Sequence, residues 1–359
     1  MHNPIGEKRW PDIDCADGLD PLKSARERGQ RLLEAELPSL PADEAIVRLN
    51  ALHDALIVRV LALAENEVAR SGLGAPPVPY AYMLYGSGGR SEQTMHSDQD
   101  SGLVYADAND EAEEERNRSY FRRLAETAVD YLIEIGYPPC EGNVIASNPA
   151  WCMSLRDWSD RIAGWFAEPS WENVRYLLIA ADGRAVWGDV GLADRLRGRF
   201  FGDLLGHPVI ERRMLENTLR HKVLVGVFGQ LLTEKYGDNA GGLDIKYGAY
   251  IPMVNAFRLL AVRAGIRETS TLGRIDALHA AGALSEEEAE EARTAFLLFL
   301  KLRLFTSVAL EDGRLVGTGK LPASRLTKEI VPALKTALKT GNKIQRKVQK
   351  ELQYRLGGR

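Results

Sequence analysis

The chain predicts an α+β fold, and three observations carry that expectation. Two short apolar runs, at 80–85 and 101–105, have the length and composition of buried strands and enclose a glycine-rich turn. Ahead of them, Leu49, Leu52, Leu56, Val60 and Leu63 recur at three- and four-residue spacing, as on an amphipathic helix. Beyond residue 191 the apolar pattern turns almost wholly helical, which puts a domain boundary near 195. The expected division is a partly mobile N-terminal tail (1–40), an N-terminal helix (41–75), a mixed domain around the glycine turn (76–194) and a helical domain (195–359).

In chain order, Pro41-Ala42-Asp43-Glu44 has the proline and acids of a helix start, and Gly72, Gly74 and Pro76-Pro77 end that helix. The acids at 107–115 open a second helix reaching about Ile135, where negative charge suits the helix dipole; a solvated helix start explains them better than a cation site. Pro138-Pro139 and Asn148-Pro149 mark a loop. Trp151, Leu155, Trp158, Ile162, Trp165 and Phe166 follow at helical spacing, favouring core packing over base stacking. The apolar run at 176–181 reads as a third strand, ending at Asp182-Gly183-Arg184, and a carboxylate at the end of a buried strand is well placed for a site. Helices are expected at 209–235, 251–264, 271–281, 285–308 and 324–355. The last is basic, with Lys335, Lys339, Lys343, Arg346, Lys347, Lys350 and Arg355, and reads as a solvated face.

Bulk properties exclude several classes. A net charge of -4 over 359 residues gives no overall attraction to a polyanion, so nucleic acid is not the expected substrate. Cys15, Cys140 and Cys152 are odd in number and lack metal-ligand spacing, so neither a disulfide framework nor a thiolate metal site is expected. The first twenty residues hold no apolar core of signal-peptide length, and no run reaches the roughly 18 apolar residues of a membrane span. A cytoplasmic protein without a membrane partner is expected.

The chemistry concentrates in Gly86-Ser87-Gly88-Gly89-Arg90 and Ser97-Asp98-Gln99-Asp100. Asp98 and Asp100 alternate, so on extended backbone their carboxylates share one face and Gln99 points the other way; hard oxygens so paired suit Mg2+, with Mn2+ as the alternative. The glycines Gly86 and Gly88 permit close backbone approach to phosphate oxygens. Ser87 can donate its hydroxyl and Arg90 can add charge, with a short helix expected between Arg90 and Ser97. Glu92 reads as an ion-pair partner of Arg90 rather than as a ligand. No Lys follows the glycines as a P-loop requires, and the dinucleotide-binding spacing is absent. Phosphate grip beside a metal pair points to nucleotidyl transfer.

Gly86-Ser87 followed about ten residues on by Asp98-x-Asp100 resembles the signature of the polymerase-beta-type nucleotidyltransferase superfamily. More narrowly, Pro79-Tyr80-Ala81 leading into the glycine turn, with Asn148-Pro149-Ala150-Trp151, Gly188-Asp189 and Gly242-Leu243-Asp244-Ile245-Lys246, is similar to bacterial nucleotidyltransferase-like proteins related to PII uridylyltransferase. The resemblance implies a small mixed sheet flanked by helices and a helical substrate-binding domain closing over the nucleotide. It implies a third carboxylate at Asp182 that completes the metal site, and a phosphate contact at Lys246; for Lys246 an Asp244-Lys246 pair organising a helix start stands as the alternative. It further implies a nucleoside triphosphate such as ATP as donor, a hydroxyl on a protein or small molecule as acceptor, and a regulatory role in signal transduction. A catalytically silent nucleotide-sensing or protein-interaction module is the alternative function.

Overall fold

In a computed structural model of the chain, the described residues are 10–204, 208–219, 223, 224, 226, 230–236, 240–311 and 314–357. Both apolar runs around the glycine turn are buried strands at every position, β1 (Tyr80–Leu84) and β2 (Ser101–Tyr105). They pair antiparallel, from Tyr80 opposite Tyr105 to Leu84 opposite Ser101. A short β3 (Cys152–Ser154) runs parallel to β2, and β4 (Arg184–Gly188) lies beside β1, giving a four-stranded mixed sheet in the order β3-β2-β1-β4.

The chain divides into two compact units. The first extends to Arg156 and includes Ala185–Ala193; the second comprises Asp157–Arg184 and Asp194–Arg359. In the first, α1 (Pro11–Asp14), α2 (Leu19–Glu36), α3 (Ala42–Val68) and α5 (Glu111–Glu134) are the helices, with the one-turn α4 (Gly86–Gly89) between β1 and β2. Asp110 caps α5 by accepting from the Glu113 amide. Phe121 of α5 stacks on Tyr105 with ring centroids 4.7 Å apart and packs against Tyr80, so apolar helix surface covers the central strands.

From Pro11 to Glu36 the N-terminal segment is largely helical, in α1 and α2. Ile13, Leu22 and Leu33 are almost fully buried, an apolar stripe that the many charges of α2 obscure in the sequence. The run at 176–181 is not a strand: it belongs to α7 (Trp171–Ala180), capped by Ser170, with Val174, Leu177 and Leu178 facing inward. A short unbroken apolar run carries no period of its own, and the serine cap decided the outcome. The helix over Trp158, Ile162, Trp165 and Phe166 is α6 (Leu155–Ala167), all four side chains being buried, but it starts after β3 rather than at Trp151.

The second unit is mainly helical. It contains α7, most of α6 and of α8 (Val190–Leu204), then α9 (Pro208–Thr218), α10 (Ile251–Arg263), α11 (Thr271–Ala280), α12 (Glu286–Arg303) and α13 (Ile330–Gly357). Every residue of α10 from Pro252 to Val262 is buried, making it the central helix. Ser285 and Glu288 form a reciprocal capping box on α12. The helix expected at 209–235 ends at Thr218, and parts of the remainder lie outside the described residues. Two short antiparallel ladders complete the unit: β5 (Leu243–Asp244) with β8 (Lys320–Leu321), and β6 (Val308–Glu311) with β7 (Arg314–Gly317). On the basic α13, Lys343 pairs with Glu291 at 3.0 Å and Lys347 with Glu288 at 2.8 Å. No described helix is long and apolar enough to cross a membrane.

Candidate functional site

The β1–β2 ladder continues past its last strand pair through a bond from the Tyr85 amide to the Asp100 carbonyl, 2.9 Å, which brings the turn against the second acid. Gly86 then adopts φ +51, and α4 closes through Gly89 N–H to the Tyr85 carbonyl, 2.8 Å. Only glycine fits at 86: a Cβ there would overlap the Asp100 Oδ2 and stand 3.0 Å from its Cγ. Gly88 is buried beneath the turn and Ser87 half-buried on it.

Arg90 does not add free charge to this turn. Its side chain is 4% exposed and its Nε donates to Glu92 Oε2 at 2.8 Å, with Glu92 3% exposed. The buried pair braces the loop, as read for Glu92, and commits the Arg90 Nε to that carboxylate. The expected helix between Arg90 and Ser97 is also absent. That segment is irregular because neighbouring helices hold it: Asn50 Oδ1 accepts from the Gln93 amide at 3.0 Å, Gln30 Nε2 donates to the Met95 carbonyl at 2.7 Å, and Ser97 Oγ accepts from the Thr94 amide.

His53, fully buried on α3, ties this loop to the next. Its Nε2–H donates to the Thr94 carbonyl at 3.0 Å, which leaves Nδ1 to accept from the Tyr137 hydroxyl at 2.6 Å. Burial, with the positive charge of Arg26, pushes its pKa down to about 3, so it stays neutral. His96 is lowered in the same direction, also chiefly by burial.

The acids behave as their alternation predicts. Gln99 turns inward, its Nε2 donating to the carbonyls of Tyr137 at 2.9 Å and Val129 at 3.3 Å, while its amide donates to the Pro138 carbonyl. Asp98 is exposed and Asp100 half-exposed, on the opposite side of the backbone. Cys140 joins them: ligand atoms of Asp98, Asp100 and Cys140 all lie within 4.8 Å of one another. Burial, then the charge of Asp100 and a hydrogen bond to it, push the Cys140 thiol up to about 12. No spacing in the chain could have announced Cys140, because forty residues separate it from Asp100 and the segments meet only in the fold, through the Gln99–Pro139 bridge and the bonds linking Gln99 and Ser101 to the 137–146 loop.

The arrangement fits a divalent cation. Two hard carboxylates converge with a thiol, and the absence of a side chain at Gly86 lets the Asp100 carboxylate sit against the turn.

Asp182 stands elsewhere in the chain's bonding. It belongs to the second unit, is 0% exposed, and both its oxygens are engaged: Arg258 Nε and Nη2 donate at 2.9 and 2.5 Å, and Arg274 Nη2 lies 2.8 Å away. Arg274 also donates to the carbonyls of Ala181 and Glu268. Two guanidiniums thus clasp one buried carboxylate. Lys246, also in the second unit, lies half-exposed with Nζ 5.2 Å from the Tyr247 ring centroid, and Asp244 caps the same turn by accepting from the Tyr247 amide at 2.8 Å. Asp244 thus organises the helix start through the backbone.

Two family models match the chain. Residues 33–172 match the one described as "Putative nucleotidyltransferase DUF294", and residues 208–352 the one described as "Putative nucleotidyltransferase substrate binding domain". Asp98, Asp100 and Cys140 lie within the first span and Lys246 within the second, whereas Asp182 falls in neither. Among curated proteins, none matches the chain.

Proposed function

Since this chain pairs a DUF294-type nucleotidyltransferase domain with the substrate-binding domain of that type, we propose that it transfers a nucleoside monophosphate from a triphosphate to an acceptor hydroxyl and releases pyrophosphate. The observation that carries the reading is the Asp98–Asp100 pair, held on one side of an extended segment against a glycine turn that has no room for a side chain. Asp98 and Asp100 would hold Mg2+ or Mn2+, which when bound supplies charge neutralisation and Lewis-acid polarisation at the reacting phosphate.

The chain's own residues do the rest. Gly86 and Gly88 let backbone approach the triphosphate closely, and the Ser87 hydroxyl donates to one of its oxygens. Gln99, anchored inward, fixes the backbone on which both acids sit, so little reorganisation is needed as charge develops. Arg90 is left out of the phosphate set, because its burial against Glu92 makes it a brace. Lys246 is retained as a phosphate or acceptor contact of the substrate-binding domain. The acceptor belongs to a protein or a small molecule, in line with the net charge of -4 and with the motif's likeness to relatives of PII uridylyltransferase, which also favours a regulatory outcome and a cytoplasmic setting.

A second reading, nucleotide sensing without transfer, draws on one observation. Asp182, the expected third carboxylate, has both oxygens committed to Arg258 and Arg274. Incubating the purified protein and a host lysate with each of four labelled triphosphates separates the readings. Transfer predicts a labelled acceptor that disappears with Asp98→Asn; saturable triphosphate binding with no labelled acceptor under any nucleotide supports sensing instead.

A further inference from the structure

We propose that Cys140 is a third ligand of the Asp98–Asp100 cation site and that it biases the site towards borderline and soft divalent cations. The inference rests on reading Asp98 and Asp100 as the metal pair. Cys140 follows Pro138-Pro139 in a loop held by the Gln99–Pro139 bridge, by the bond from Gln99 Nε2 to the Tyr137 carbonyl and by the Tyr137 hydroxyl on His53. Within that loop the Gly142 amide donates to Cys140 Sγ at 3.3 Å, and the Asn143 amide to the Cys140 carbonyl at 3.1 Å, with Asn143 at φ +54. These bonds aim the sulfur at the two carboxylates, all within 4.8 Å, a span that one ion can bridge. Gly86 ties the glycine turn to the same pair, since a Cβ there would overlap the Asp100 carboxylate.

A site of two oxygens and one sulfur discriminates among metals in a way that a carboxylate pair does not. Mg2+ is hard and gains little from sulfur, whereas Mn2+, Co2+, Zn2+ and Cd2+ gain progressively more. Coordination replaces the S–H bond by an S–metal bond, and the proton passes to solvent; sulfur keeps its oxidation state.

The test is titration of the full chain with Co2+, Cd2+ and Mg2+, followed by calorimetry and by the near-ultraviolet thiolate-to-cobalt absorption. Wild type is expected to show the band at one equivalent of Co2+, and Cys140→Ser to lose it together with roughly tenfold or more of Cd2+ affinity, Mg2+ affinity changing little. Cys15→Ser and Cys152→Ser should keep the band, and circular dichroism of Cys140→Ser and Cys140→Ala establishes that both fold. A band and Cd2+ affinity that survive in folded Cys140→Ser or Cys140→Ala overturn the inference while leaving the acid pair intact. Unchanged binding of all three cations in Asp98→Asn with Asp100→Asn overturns the underlying reading of the pair itself.

Discussion

The carboxylate of Asp100 occupies the space into which a side chain on Gly86 would project, so the turn and the Asp98–Asp100 pair are one construction. Gly86→Ala must therefore displace Asp100 and also hold alanine at φ +51, a conformation that costs about 1–2 kcal/mol by itself. The variant should unfold at lower urea concentration and lose most divalent-cation affinity. Retained affinity at wild-type stability would mean that Asp100 and the turn are not coupled.

Arg90 and Glu92 bury opposite charges within the glycine loop. Removing one partner leaves the other uncompensated, and Arg90→Met or Glu92→Met should destabilise the chain by about 3–5 kcal/mol. Replacing both with methionine should recover a large part of that loss. Chemical denaturation of the three variants measures the cycle, and additive losses would contradict direct pairing.

Asp182 allows a sharper distinction. If the carboxylate serves Arg258 and Arg274, Asp182→Asn should cost about 3–5 kcal/mol of stability and leave divalent-cation affinity unchanged under conditions where the variant is folded. Calorimetry on the folded variant checks this. A large loss of Mg2+ or Mn2+ binding there would restore Asp182 as a ligand.

His53 makes stability depend on pH. Its pKa falls from 6.5 in an unfolded chain to about 3 in the native fold, so below pH 6.5 the unfolded chain takes up a proton that the native protein refuses. Stability contributed by this neutral histidine is complete above 6.5, falls as pH drops towards 3, and levels off below that. Urea midpoints between pH 8 and 5 should decline in the wild type, and His53→Gln should flatten the decline. A parallel decline in both would place the sensitive groups elsewhere.

Much of this was legible in the sequence because it is local. The strands on either side of the glycine turn, the opposed directions of Gln99 and its neighbouring acids, and the acid-capped start of α5 follow from alternation, glycine chemistry and the helix dipole. What stayed hidden depends on contacts distant in the chain. Cys140 reaches the acids through long-range bonds that hold the 137–146 loop against Gln99 and Ser101, and Arg90 and Asp182 look like free functional charges until Glu92, Arg258 and Arg274 are seen around them. The apolar run of α7 fits a strand as well as a helix until its serine cap is weighed.

The most direct test of the central claim is release of labelled pyrophosphate from a nucleoside triphosphate, measured with Mg2+ or Mn2+ and host lysate as the source of acceptor. The wild type should release it only with the divalent cation present, and folded Asp98→Asn with Asp100→Asn should fall to background. Release that continues undiminished in that double variant, or that needs no divalent cation, would contradict nucleotidyl transfer at Asp98 and Asp100.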